Sequence, residues 1–380
     1  MATSFKPISA NDIITTRTLL HEVVPITGTI VTGTYGTTAT STEFPAEENI
    51  KNYSHGIFQS IFDYPHLSSS ANHIFDITVG YSTGSVWATG EPIPNGDNTQ
   101  NTKKLNIYNQ MAQVLVGHDH TGSIKEFQIP GGDTISEAYF INFSRLLIKD
   151  EIKKGSLTMS FGTGSTFTTA HDYNGSPRTF SDYGDTTYYT DSPAGDYAIL
   201  TMSANPPGPE AGGKPVGLVY YQAGIVVLSA SMFFPYDSSQ VSTGHDTDNY
   251  LNMTGSGAGL AKDDDNLSFK HMLVSSSISG TANALRHRID NIEFQNTTEL
   301  NSTIYFCRLN HNEFNYSSNP TYLSSSKIQV KSVNTDTPLS YVTTIGLYGS
   351  DNSLLAVAKL SEPLKKTPEN EITLRVRLDY

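Results

Sequence analysis

The sequence predicts a β-rich α+β protein: mainly antiparallel sheets, sandwich-like, with a few helices in the N-terminal part and a C-terminal antiparallel sheet domain. Three observations predict it. Charged residues make up 16% of the 380 positions, against about 25% in an average globular chain. Thr, Ser, Asn, Gly and 21 Tyr fill the difference. Residues 301–380 hold five strand candidates, and in the last, 371–378, apolar and polar side chains alternate, the period of a strand with one dry face. Coiled coils and helical bundles need Ala, Glu, Lys, Leu and Arg in bulk, so this composition excludes them. With 17 Phe besides the Tyr, the chain can also bury enough surface to fold.

Composition and patterning divide the chain into three stretches. Residues 1–165 read as a mixed α+β domain with an extended N-terminal arm, 166–300 as a β-rich, loop-rich acidic middle, and 301–380 as an antiparallel sheet domain. The arm, with Phe5, Pro7 and Ile8, has no strand partner of its own and is expected to be ordered by a partner. Ser9 or Asn11 is a possible helix cap there. Residues 25–35 (PITGTIVTGTY) read as a strand interrupted by Gly, 36–48 as a surface loop, and 74–81 (IFDITVGY) as another strand. Leu105, Tyr108, Ala112 and Leu115 share one face of a 3.6-residue period, predicting a helix over 101–115. Phe143, Leu146, Leu147 and Ile148 predict a second helix over 140–152.

Residues 166–215 are punctuated by Pro, Gly, Asp and Asn, as in hairpins and long loops. The apolar stretch 217–234 contains Gln222, Ser229, Ser231 and a central Ala223-Gly224, so it reads as two buried strands and not a membrane span. A polar loop covers 235–266. Five strands are expected at 303–309, 327–333, 339–348, 354–360 and 371–378. Gly349-Ser350-Asp351-Asn352 is a hairpin turn between two of them. In the last strand Ile372, Leu374, Val376 and Leu378 should face a core, with Arg375 and Arg377 outward.

Net charge is −13. Residues 1–165 carry 10 basic and 15 acidic side chains, 166–300 carry 6 and 15, and 301–380 carry 8 and 7. No basic run exceeds two residues, which argues against nucleic acid and an anionic membrane as partners. A single cysteine, Cys307, cannot form an internal disulfide, which fits a reducing compartment. The N-terminus has no signal-peptide pattern.

Motifs with chemistry are sparse. His118-Asp119-His120 would put two imidazoles on one side of a strand, as in a zinc or iron site. No third ligand stands at a recognisable spacing, so a polar turn competes with that reading. His21-Glu22, His271 and Arg286-His287-Arg288 have no identifiable partner. Cys307, mid-strand, reads as a packed thiol and not a nucleophile. Asp246, Asp248 and Asp263-Asp264-Asp265 lack the calcium-loop pattern. No nucleophile elbow, zinc-protease helix or phosphate loop occurs. Catalytic residues, cofactor and metal are therefore all expected to be none. Tyr173, Phe180, Tyr183, Tyr188, Tyr189 and Tyr197 stand among Asp, Ser and Thr, which suits a protein interface, stacking on sugar rings, or plain hairpin packing.

Four strings carry a resemblance: Asn11-Asp-Ile-Ile-Thr-Thr-Arg-Thr-Leu-Leu-His-Glu; Tyr64-Pro-His-Leu-Ser-Ser-Ser-Ala-Asn-His-Ile-Phe-Asp; Lys104-Leu-Asn-Ile-Tyr-Asn-Gln-Met-Ala-Gln-Val-Leu-Val-Gly; and Asn315-Tyr-Ser-Ser-Asn-Pro-Thr-Tyr with Leu354-Leu-Ala-Val-Ala-Lys-Leu-Ser-Glu-Pro-Leu-Lys-Lys. Through them the chain resembles virion structural proteins of tailed bacteriophages, especially contractile-tailed marine phages of the cyanophage kind. The resemblance implies a non-enzymatic tail or baseplate component, assembled in the host cytoplasm. Its partners would be other virion proteins and copies of itself. A neck or head component, or a sugar-binding host-recognition module, is the alternative. A hydrolase with dispersed carboxylates is a third class.

Overall fold

The structure is a computed structural model describing residues 5–26, 48–85, 88, 99–132, 134–163, 175–202, 214–230, 273–274, 276–286, 289–316, 323–324, 327–328, 335 and 337–380. In chain order the first strands are β1 (Ile13–Pro25), β2 (Ile50–Asn52), β3 (Gln59–Phe62) and β4 (His73–Tyr81). Helix α1 (Asn101–Leu115) follows, then β5 (Phe127–Gln128), β6 (Thr134–Ile135), β7 (Glu137–Phe143) and the single turn α2 (Arg145–Ile148). Next are β8 (Glu151–Ile152), β9 (Thr158–Thr163), β10 (Gly175–Asp182), β11 (Tyr189–Ser192), β12 (Gly195–Met202), β13 (Lys214–Tyr220) and β14 (Ile225–Ser229). Helix α3 (Ile278–Arg286) precedes β15 (Ile289–Leu309), β16 (Leu323–Ser324), β17 (Lys327–Ile328), β18 (Ser340–Tyr348), β19 (Leu354–Lys366) and β20 (Ile372–Asp379). The protein is β-rich and antiparallel, as the composition predicts.

The chain divides into a central unit, residues 21–298, and a terminal unit, residues 1–20 with 299–380. In the central unit the strands run β9-β10-β12-β13-β14-β7-β4-β3-β2, and the first half of β15 lies beside β9. Strands from before and after residue 165 thus share one sheet, since β14 pairs β7 with Val227 opposite Phe140.

Strand β7 lies between β14 and β4, and Ala138, Tyr139, Phe140 and Ile141 are all buried. A strand covered on both faces reads as a continuous apolar run, which periodicity cannot tell from a helix. The helix expected over 140–152 is therefore corrected. Its first residues close β7, one turn of helix follows, and the chain leaves through Lys149 at φ 57° into β8.

Helix α1 has the predicted bounds. Its buried side is Asn101, Lys104, Ile107, Tyr108, Ala112 and Leu115, while Leu105 is only partly buried. It presses onto β4 at Gly80, where a Cβ would lie 2.7 Å from the Lys104 carbonyl oxygen and 2.9 Å from the Tyr108 nitrogen. The Tyr108 hydroxyl donates to the Ile135 carbonyl at 2.6 Å and accepts from the Phe127 amide at 3.1 Å, tying the helix to the β5–β6 hairpin. The apolar stretch after residue 215 forms the β13–β14 hairpin, with Val219 opposite Val226. Among the described residues no helix is long and apolar enough to cross a membrane.

In the terminal unit β18 and β19 form a hairpin that turns at the predicted position. Gly349 donates to the Ser353 carbonyl at 2.9 Å, and Asn352 adopts φ 64°. Strand β20 pairs the second half of β15, Cys307 opposite Leu374 and Tyr305 opposite Val376. Its alternation is as expected, but only Val376 is buried, and Leu374 is half-buried. The N-terminal arm is tied down within this unit. The Phe5 ring lies 4.4 Å from that of Tyr348, Lys6 donates to the Arg308 carbonyl at 2.7 Å and pairs with Glu313, and Ser9 caps a 3-10 turn at Ala10–Asp12. Strand residues expected beyond Ile26 and Ile328, the 36–47 loop and the 235–266 loop lie outside the described residues.

Candidate interaction surface and ligand groove

The terminal unit is short of core. Among its described residues the buried hydrophobic side chains are Ile304, Leu347 and Val376, at 9%, 8% and 6% exposure, and none belongs to the main core. Several of its large apolar side chains lie on the surface instead. Ile13, Ile14, Leu19 and Leu20 of β1 are exposed, and consecutive residues of that strand are exposed, so neither face is covered. Ion pairs from Arg17 to Glu299 and from Arg308 to Asp12 pin the segment in place. On the β18–β19 hairpin Tyr341, Tyr348, Leu354, Leu355 and Val357 are exposed, Leu355 at 70%. A two-stranded hairpin in water is marginal by itself. Strand β1 pairs β15 along one edge, and β18 and β19 pair each other; an apolar strand with one edge left open is a template for another chain.

The Tyr-rich segment resolves into different fates. Phe180 is core, its ring 4.8 Å from that of Phe161. Tyr188 is exposed beneath the Lys154 ammonium, 4.4 Å from the ring centroid, while Lys154 also pairs with Asp196 at 2.7 Å. Tyr173 lies outside the described residues. Tyr189 and Tyr197 are cross-strand partners, and Tyr197 is the partner of Tyr220. That register stacks three rings at 5.4 and 5.2 Å, tilted by 26° and 25°. The Tyr197 hydroxyl donates to Asp191 Oδ1 at 2.9 Å, and burial pushes the phenol pKa of both Tyr197 and Tyr220 up. The ladder borders a half-open groove of about 650 Å³, walled by the end of α1, by Lys125, Gln128, Pro130 and Thr134, and by the β11–β12 hairpin.

The other predicted points come apart. His118 and His120 are exposed, and the turn between them is built by Asp119. Its Oδ1 accepts from the Thr121 amide and hydroxyl and from the Ser123 amide, at 2.8, 2.6 and 2.9 Å. Those bonds, the Thr121 hydroxyl first, hold the Asp119 carboxyl below its usual range. Among the described residues no three His, Cys, Asp or Glu side chains gather as metal ligands. Cys307 is half-buried, and burial raises its thiol pKa. His21 meets the Thr297 hydroxyl at 3.2 Å and Glu22 pairs with Lys149 at 2.7 Å, so both serve to fix β1. Arg286 is buried and bonds Gln59 and Asn283. His271, His287, Arg288, Asp246, Asp248 and Asp263 to Asp265 lie outside the described residues.

Two arrangements escaped sequence reading because their residues are distant in the chain. Ser60 Oγ and His73 Nε2 both meet Asp76 Oδ1, at 2.5 and 2.8 Å. The carboxylate stands between hydroxyl and imidazole, so the imidazole is not placed to take the hydroxyl proton as a nucleophile relay requires. Asp182, buried, accepts from the Tyr221 hydroxyl at 2.6 Å, the Gly155 amide at 2.8 Å and the Leu157 amide at 2.8 Å. Burial pushes its carboxyl above the usual range, against the pull of these donors. No family model, curated protein or solved structure matches the chain.

Proposed function

We propose that this chain is a non-enzymatic structural subunit of a tailed-phage virion, placed in the tail or baseplate and working through contacts with copies of itself and with other virion proteins. The observation that carries the reading is the terminal unit, in which strands β1, β18 and β19 leave several large apolar side chains in solvent. Burying apolar surface is the main drive of protein association, and exposed patches beyond a few hundred Å² mark interaction sites. Charge runs the same way. The terminal unit carries 10 basic and 9 acidic residues, the central unit 14 and 28. Interface cores are poor in charge, and strong like charge keeps the rest soluble. The four sequence strings supply the phage lineage.

The test is incorporation. Particles assembled with the double variant Leu355→Asp, Val357→Asp should lack the chain, while the purified variant keeps the melting point of the central unit. Incorporation at the wild-type level would overturn the reading. A cryo-electron microscopy map of the particle then places the subunit, and density in neck or head would correct the tail assignment alone.

A further inference from the structure

The geometry points to a saccharide-binding groove on the central unit, with Tyr189, the partly exposed end of the Tyr189–Tyr197–Tyr220 ladder, as its stacking ring and a neutral oligosaccharide as its ligand. The groove's volume, about 650 Å³, falls in the range of small-ligand sites, about 300–1,000 Å³. Its walls are of two kinds. Val116, Pro130 and the Tyr189 ring are its partly exposed apolar lining, while Lys125, Gln128 and Asp191 are polar and exposed. That pairing suits a pyranose, whose C–H face is apolar and whose rim is a ring of hydroxyls.

Each part has a structural reason to be rigid. Cross-strand register fixes the rings against one another, and Tyr189, the outermost, is partly open to solvent. The Tyr197 hydroxyl holds Asp191 by one oxygen, leaving a carboxylate set in place at the rim to accept hydroxyl hydrogens. Ser192 Oγ donates to the Leu115 carbonyl at 2.5 Å, which locks the hairpin wall to the end of α1. Pre-set walls lower the entropy lost on binding. Charge selects against polyanions: Asp191 and Glu126 line the groove, Lys125 is the one cation among the described lining residues, and the whole chain is at −13.

The full chain should be screened on an array of neutral and anionic bacterial-surface and plant glycans. Titration by saturation-transfer NMR with chitotriose, maltotriose and cellotriose should follow. Binding to at least one neutral glycan is expected. Tyr189→Ala should weaken it by about two- to tenfold, the scale of one aromatic contact, and Asp191→Asn should weaken it less. Thr134→Trp leaves the ladder intact and fills the groove from an exposed position, so it should abolish binding even if Tyr189→Ala unfolds the hairpin. Tyr316→Ala, on the terminal unit, should change nothing. No neutral glycan bound at millimolar concentration, anionic glycans bound alone, or undiminished binding by Thr134→Trp would each overturn the proposal.

Discussion

Asp182 shows how much one side chain does in the central unit. It joins the Gly155–Leu157 bend, the end of β10 and the Tyr221 hydroxyl through one carboxylate. All of its partners donate. In Asp182→Asn an amide would point at one set of donors, and a buried mismatch of that kind costs about 1–3 kcal/mol. Burial also raises its pKa, so in the pH window above the ordinary carboxylate value, about 3.9, the folded chain holds a proton that the unfolded chain releases. Stability from this group therefore increases as pH falls through the raised pKa, and levels off below the unfolded value. Asparagine does not titrate. The gap in denaturation midpoint between wild type and Asp182→Asn should widen as pH is lowered from neutral, and a narrowing gap would show the sign to be wrong. No local pattern marks Asp182, because its partners come from 155, 157 and 221. The same holds for the Ser60–Asp76 bond, which joins two strands, whereas Asp119 sits beside its own partners and its turn was open to reading from the sequence.

At the scale of elements, helix α1 and strand β4 depend on a position with no side chain. A Cβ at Gly80 would meet backbone atoms of α1, and backbone cannot swing aside. Gly80→Ala should destabilise the central unit by about 1–3 kcal/mol, with loss of helical signal at lower denaturant as the readout. Strand β20 is a milder case. Val376→Asp strands a charge in a buried place and should unfold the strand. Leu374→Ala, at a half-buried site opposite Cys307, should cost about 1–2 kcal/mol, below a full core cavity. Arg375→Ala should leave the melting point unchanged. Helix α1 and strand β20 were legible because covered and exposed positions recur with the helical and strand periods. Strand β7 was not, since Phe140, Ile141 and Phe143 are covered on both sides and carry no period. Strand β15 was read only over its last part. Its first half, Ile289–Thr298, pairs with β8 and β9, whose positions no local signal gives.

For the whole molecule, the two units divide the work of folding unequally. The central unit holds the main core and all of the excess negative charge. The terminal unit shows several of its large apolar residues to solvent. Composition made the antiparallel β-rich class legible. The tyrosine groove was legible only as a concentration of Tyr, because stacking needs the pairings of Tyr189, Tyr197 and Tyr220, and Tyr220 lies outside the Tyr-rich segment. The exposed strands also have a calorimetric consequence. The heat-capacity rise on unfolding scales with apolar surface newly wetted, and so does the denaturant m-value. Strands β1, β18 and β19 are wet before they unfold. In scanning calorimetry of the isolated chain, the main endotherm and nearly all of its heat-capacity step should therefore belong to residues 21–298, with the remaining residues melting as a weak shoulder. In the assembled state the same segments should acquire a heat-capacity step of their own, and its size would measure how much surface assembly has dried.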